Sequence, residues 1–282
     1  MNMAEIISFY SAAHSQGKRT VSLSLANLLA ANGLKVLYFE LDYKKPAVAI
    51  STQITDEHKN ALNYFNSTLS KQSFDVSPYV LNKDHLLRTD DREMKKVYSP
   101  LRGHIEYLVF PLGFKENSFP ALISEGETAE KEAQEYIEKM IYSLKTTKYD
   151  YVILNLPIEL HSIFGYEVII NSDKIVNVVT PSSTRLFENK NAKTFLLSNV
   201  PDLEDKWNTV INMTSENIDE TEYMLLVSDN SPTIVPFNPE RQKEEFSLEV
   251  GSERIEERLE QLALNMGLSV APSVPKKGFF RR

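Results

Sequence analysis

The chain has no cysteine, one tryptophan, five histidines and nine glycines in 282 residues. Without cysteine there are no disulfides and no thiol nucleophile, a usage that fits a reducing, cytoplasmic setting. Five histidines and no cysteine fall into no metal-ligand spacing, so no protein-held metal site is expected. No apolar run approaches the ~18 residues that span a bilayer. The opening Met1-Asn2-Met3-Ala4-Glu5 lacks the positive region of a signal peptide. Positive charge is in deficit, with 31 Lys and Arg against 39 Asp and Glu for a net charge of −8; this argues against nucleic acid as a partner. There is no nucleophile elbow, no internal repeat and no linker-like break. What remains, 42% hydrophobic and 25% charged, is an ordinary globular composition. The expected organisation is one domain over residues 1–268 and a flexible basic tail over 269–282.

Strand-like runs recur at residues 6–10, 35–39, 105–110, 151–156, 174–179, 209–213 and 233–236. Several are continuously apolar rather than alternating, which marks strands buried on both faces of a parallel sheet. Helical patterns lie between and after them, at 129–144, 185–200 and 252–266. The alternation predicts an α/β fold, a mostly parallel sheet covered by helices on both faces. In such sheets ligands bind at the carboxyl ends of the strands, where Lys18, Asp42 and Asn155 fall. Residues 51–101 are polar, partly helical over 58–69 and locally basic from Arg88 to Arg102; they read as a solvated excursion between strands.

The first strand runs into Ser11-Ala12-Ala13-His14-Ser15-Gln16-Gly17-Lys18, and then into a helix with an apolar stripe of Val21, Leu25, Leu28 and Leu29 and a stop at Asn32-Gly33. A strand, a Gly-Lys loop and a helix N-terminus place backbone N–H groups and a lysine toward an anion. The phosphate-loop pattern G-x-x-x-x-G-K-[ST] is incomplete: Ala12 replaces its first glycine and Arg19 its hydroxyl. Taken alone, Gly17-Lys18 reads as an ordinary surface loop; the strand before it and the helix after it are what point to phosphate. His14 reads as loop filler and Trp207 as packing.

With these landmarks placed, the chain resembles the MinD/ParA group of deviant P-loop ATPases. Five stretches carry the likeness in order: Ser15-Gln16-Gly17-Lys18-Arg19-Thr20; Val36 to Pro46, ending Phe39-Glu40-Leu41-Asp42-Tyr43-Lys44-Lys45-Pro46; Tyr149-Asp150-Tyr151-Val152-Ile153-Leu154-Asn155-Leu156-Pro157; Ser172-Asp173-Lys174 through Thr180-Pro181-Ser182; and Val210-Ile211-Asn212 with Ile234-Val235-Pro236-Phe237-Asn238-Pro239. The resemblance implies ATP or ADP as ligand, with Ser15, Gln16, Gly17, Lys18, Arg19 and Thr20 around the phosphates. It places Asp42 by the attacking water, Asn155 at the acidic metal-shell position, and Asn212 and Pro236 on the base side. It also implies a homodimer, although the family's cross-subunit lysine position is Ala13.

The departures bear on metal and turnover. Arg19 stands where the family has its Mg²⁺-ligating hydroxyl, and Asn155 where it has an aspartate. A guanidinium offers only donors and a permanent charge, so two losses fall on one metal ion and hydrolysis is expected to be very slow or absent. The nearest branch in character is TadZ/CpaE. That suggests an organising protein of a membrane-associated pilus, secretion or positioning machine, cytoplasmic and peripheral at the inner face of the cell membrane, with machine proteins as partners. The receiver-like domain usual in that branch is not expected, because the first strand begins at Ile6. Two alternatives stay open: an active partition ATPase of the ParA type acting on DNA, and a nucleotide-free scaffold. The chain ends Lys276-Lys277-Gly278-Phe279-Phe280-Arg281-Arg282 after a proline-rich spacer. It resembles a truncated MinD membrane-targeting segment, in which Lys276, Lys277, Arg281 and Arg282 meet an anionic surface and Phe279 and Phe280 insert. A docking peptide or a functionless tail are the other readings.

Overall fold

All seven apolar runs become strands of a single sheet in the computed structural model, which describes residues 3–217, 219–227, 231–241 and 253–271. The strands are β1 (Glu5–Tyr10), β2 (Val36–Glu40), β3 (Ile105–Leu108), β4 (Tyr151–Asn155), β5 (Lys174–Val179), β6 (Trp207–Thr214) and β7 (Thr233–Pro236). Their spatial order is β3-β2-β4-β1-β5-β6-β7, and every pairing is parallel. Successive side chains serve opposite faces. Ile7, Phe9, Val36, Tyr38, Ile153 and Val176 enter one apolar core, while Ile6, Tyr10, Leu37, Phe39, Val152 and Ile175 enter the other. This two-sided burial is the reason the strands read as continuous apolar runs.

Helix α1 (Lys18–Ala31) covers the first face. Its stripe of Val21, Leu25 and Leu29 is fully buried, and Asn32 and Gly33 end it, Gly33 at φ 80. It opens at Lys18, directly after the N-cap Gly17. Four short or medium helices follow β2: α2 (Val48–Thr52), α3 (Ala61–Lys71), α4 (Lys83–Leu86) and α5 (Arg92–Tyr98). Then come α6 (Ala129–Lys145), α7 (Tyr166–Asn171), α8 (Ser183–Asn199) and α9 (Glu220–Val227). The last, α10 (Glu253–Asn265), packs beside α1 and against β7. Side chains of α3, α6, α7 and α8 cover the second face.

Residues 51–101 are not a solvated excursion. Ile54, Tyr64, Phe65, Val76 and Leu81 are fully buried, Leu86, Tyr98 and Leu101 nearly so, and together they feed both cores. Asn60, whose side chain accepts from Asn63 N–H, starts α3 at Ala61 rather than at His58. Leu81 exchanges both backbone hydrogen bonds with Tyr107, at 2.8 Å each, as an antiparallel bridge on the outer edge of β3. The basic run from Arg88 to Arg102 is interleaved with Asp90, Asp91 and Glu93, of which Asp91 caps α5 and Glu93 pairs with Lys96 at 2.8 Å.

The first tail residues belong to the body. Ser269 N–H donates to the Tyr151 hydroxyl at 3.0 Å, Ala271 N–H to Asn32 Oδ1 at 2.9 Å, and Val270 is buried in the first core. The membrane reading of Lys276, Lys277, Phe279, Phe280, Arg281 and Arg282 lies outside the described residues. Trp207 packs edge-on against Tyr10, with ring centroids 6.5 Å apart.

Candidate functional site

The carboxyl ends of β1, β2, β4, β6 and β7 surround one cavity of about 580 Å³. β1 supplies its floor, because the loop from Ser11 to Gly17 must turn the chain from the central strand into α1. Gly17 takes the N-cap position at φ 82, with its carbonyl accepting from Val21 N–H at 3.0 Å. No side chain fits there: a Cβ on Gly17 would collide with the side-chain nitrogen of Asn212. Ser15 also sits at positive φ, 59°, so a serine occupies a turn position that glycine ordinarily takes. Residues 18–20 then form the first helical turn, with Lys18, Arg19 and Thr20 all lining the cavity.

Lys18 is buried, and its ammonium donates to the Leu156 carbonyl and lies 3.6 Å from Asp42 Oδ2. Burial lowers the lysine's pKa and Asp42 opposes the shift. Burial likewise raises Asp42, against the pull of Lys18 and of Lys45 N–H, which donates to Asp42 Oδ1 at 3.2 Å. The two groups therefore sustain each other's charge in a place that disfavours both. Glu40, two residues before, is committed elsewhere: Oε1 accepts from the Ala47 and Val48 N–H groups at 2.9 Å each and Oε2 from Phe110 N–H at 3.4 Å. Burial nonetheless pushes its carboxyl up to about 7.

The loop is held by side chains from distant segments. Gln16 Oε1 accepts from Thr180 N–H at 2.6 Å and from Thr180 Oγ1 at 3.0 Å, and Gln16 Nε2 donates to the His14 carbonyl at 3.1 Å. Asn212 Nδ2 donates to the Gln16 carbonyl at 2.7 Å, while Asn212 Oδ1 accepts from Arg241 at 3.0 Å. Arg185 donates to Thr180 Oγ1 at 2.8 Å. Hydrogen bonds therefore link α8, the end of β5, the loop and the end of β6. Asn212 is fully buried with both polar atoms engaged, so it braces the loop. Past the sheet edge, Met213, Phe237, Asn238 and Arg241 line the cavity, and Pro236 closes β7 just behind them. A bulge between Asn212 and Thr214 puts Met213 at φ 60. His14 Nε2 lies 2.9 Å from Lys45 Nζ. None of these remote braces was visible as a local spacing. Of the residues at these strand ends, the family resemblance had marked Asn212 and Pro236, as base-side residues.

Two buried polar atoms lining the cavity, Ser11 Oγ and Asn155 Oδ1, have no hydrogen-bond partner within the protein. A buried polar atom without a partner is costly. Both belong to residues that line the cavity. The cradle therefore fits a phosphorylated ligand: a helix N-terminus, Gly17 at positive φ, and Lys18, Arg19 and Lys45 nearby. It does not fit Mg²⁺. That ion needs near-octahedral oxygen ligands, whereas Glu40 is spent on backbone amides, Asp42 on Lys18, and Asn155 is neutral. Among the described residues no three or more His, Asp or Glu side chains converge on a point that could hold a metal.

No protein-family model matches the chain, and no curated protein matches it by sequence. Solved structures do match. A ParA family ATPase from Chlorobium tepidum TLS superposes with a TM-score of 0.65 at 15% identity, over 92% of this chain and 98% of that one. The septum site-determining protein MinD of Pyrococcus horikoshii OT3, complexed with Mg-ADP, gives 0.63 at 15% identity, over 92% and 96%. The MinC:MinD cell division complex of Aquifex aeolicus gives 0.63 at 14% identity, over 96% and 99%. At these identities the likeness establishes architecture, and with the seven-stranded parallel sheet and the Gly17-Lys18 loop it leads to one statement: the chain has the P-loop α/β fold of the ParA and MinD ATPases.

Proposed function

We propose that this protein is a MinD-like organising protein that binds ATP or ADP in the Lys18 cavity and hydrolyses ATP very slowly or not at all. The observation that carries the reading is a cavity lined by Lys18 and the first turn of α1, with Arg19 and Asn155 at the positions the resemblance assigns to metal-serving groups. Gly17, Lys18 and the first turn of α1 line this cavity, as do Ser11 and Asn155, each of which has a buried oxygen with no partner within the protein. Positioning and charge neutralisation dominate phosphoryl transfer, and here the second is incomplete. Equilibrium dialysis of labelled ATP and ADP against the full chain tests binding, and phosphate release tests turnover. Saturable binding that falls at least about tenfold in Lys18→Ala, without measurable turnover, is expected. Turnover abolished by Lys18→Ala would instead establish an active ATPase of the partition type, and no binding at all a nucleotide-free scaffold.

The setting proposed is the inner face of the cell membrane, in a pilus, secretion or positioning machine, with machine proteins and a second copy of the chain as partners. Support comes from the MinC:MinD complex among the fold's relatives and from the basic, phenylalanine-bearing end of the sequence. Among the described residues no helix is long and apolar enough to cross a membrane, so attachment would be peripheral. Four cations worth ~1 kcal/mol each near an anionic leaflet give weak, salt-sensitive binding. Co-sedimentation with phosphatidylserine vesicles is expected to fall on deleting residues 276–282. At high salt it is expected to fall on replacing Phe279 and Phe280 with alanine, since insertion is then what remains. Equal sedimentation of all three proteins would rule the tail out as a membrane signal.

A further inference from the structure

We infer that the cavity takes its nucleoside di- or triphosphate as the metal-free polyanion, with the fixed cations of Arg19 and Lys45 neutralising charge that a divalent ion would otherwise carry. The inference rests on the nucleotide reading above and specifies the chemical form of the ligand. Among the described residues, four cationic side chains line the cavity, Lys18, Arg19, Lys45 and Arg241, with two carboxylates, Glu40 and Asp42. Both carboxylates already have partners: Glu40 accepts from three backbone N–H groups, and Asp42 faces the Lys18 ammonium and accepts from Lys45 N–H. A divalent cation entering here would compete with Lys18 for Asp42 and stand among like charges. Its remaining protein oxygens would be neutral ones. A chelated nucleotide brings two positive charges into a cavity already rich in them, whereas a free nucleotide brings three or four negative charges. Guanidinium binds phosphate oxygens through paired N–H donors, and Arg19 stands in the first turn of α1, where backbone N–H groups also point outward. Asn155 agrees with this. It is 4% exposed, ends β4 at the cavity wall, and has an amide rather than a carboxylate. An amide can donate a hydrogen bond to a phosphate oxygen, which an ionised aspartate cannot.

Calorimetric titration of the full chain with ADP and ATP, in excess EDTA and in millimolar Mg²⁺, tests this directly. Binding in EDTA is expected to be tighter than in Mg²⁺ by about tenfold, because chelation removes charge that Arg19 and Lys45 would meet. Arg19→Gln is expected to erase most of that preference and Arg19→Lys to retain it, which separates charge from fold. Circular dichroism of both variants confirms folding. The double variant Arg19→Thr with Asn155→Asp supplies a hydroxyl and a carboxylate and is expected to reverse the preference. Mn²⁺ added as a paramagnetic probe to the saturated wild-type complex is expected to show no protein-held ion. Binding that requires Mg²⁺, or an EDTA preference untouched by Arg19→Gln, would overturn the inference while leaving nucleotide binding intact. No binding in either medium would overturn the nucleotide reading and this inference together.

Discussion

Gly17→Ala is expected to destabilise the chain by about 3 kcal/mol, a sum of two separable terms. An L-residue held at φ 82 carries about 1–2 kcal/mol, and overfilling a packed site adds about 1–3 kcal/mol. The second term arises because the new methyl would meet the Asn212 side-chain nitrogen, itself fixed on the Gln16 carbonyl at 2.7 Å. Gly33→Ala is the control: its φ is 80 with no atom within 4 Å of the added carbon, so it isolates the backbone term. Urea denaturation should move the Gly17→Ala midpoint well beyond that of Gly33→Ala, with the slope unchanged for both. Equal shifts would show that the Asn212 side chain simply moves aside.

Lys18→Met is expected to abolish nucleotide binding and to destabilise the empty protein by about 3–5 kcal/mol, the usual result of removing one partner from a buried pair. The side chains of Lys18 and Asp42 are 9% and 12% exposed, so water does little to take the lysine's place. Without the lysine, burial is left to push the Asp42 carboxyl further up. The folded state then holds a proton that the unfolded chain releases. The deficit is therefore absent at pH values below Asp42's unfolded pKa and grows as pH rises toward the new folded pKa. Adding Asp42→Asn removes the stranded charge and is expected to recover most of the stability but none of the binding. Thermal melts of the two single variants and the double variant across pH close the cycle. Additive losses would show that the two residues do not act as a pair.

The strands were legible because burial on both faces writes a dense apolar run into the sequence, and β5 and β7 match their predicted bounds residue for residue. Edges were less legible where a side chain intervenes. β3 stops at Leu108 because Val109 turns to accept from Ala61 N–H and Phe110 N–H is taken by Glu40. β6 begins earlier than its apolar core, at Trp207, whose ring is buried against Tyr10. Residues 51–101 looked solvated because their anchors, such as Tyr64, Leu81 and Tyr98, are spaced by polar residues with no single period. In the site, Lys18 and Asp42 follow from strand-end position. Gln16, Thr180 and Arg241 do not, since they meet only through contacts spanning up to 196 residues of sequence.

The two margins of the sheet also govern how the protein behaves at high concentration. An open parallel sheet ends in unpaired backbone groups that can recruit another chain. On one margin Tyr107 has both its N–H and its carbonyl already taken by Leu81. On the other, β7 is four residues long and ends in a proline, which has no N–H to offer. Edge-to-edge growth into aggregates is thus blocked by the same polar-looking excursion that conceals the anchor at Leu81, and copies of this chain are left to meet through side chains rather than through backbone.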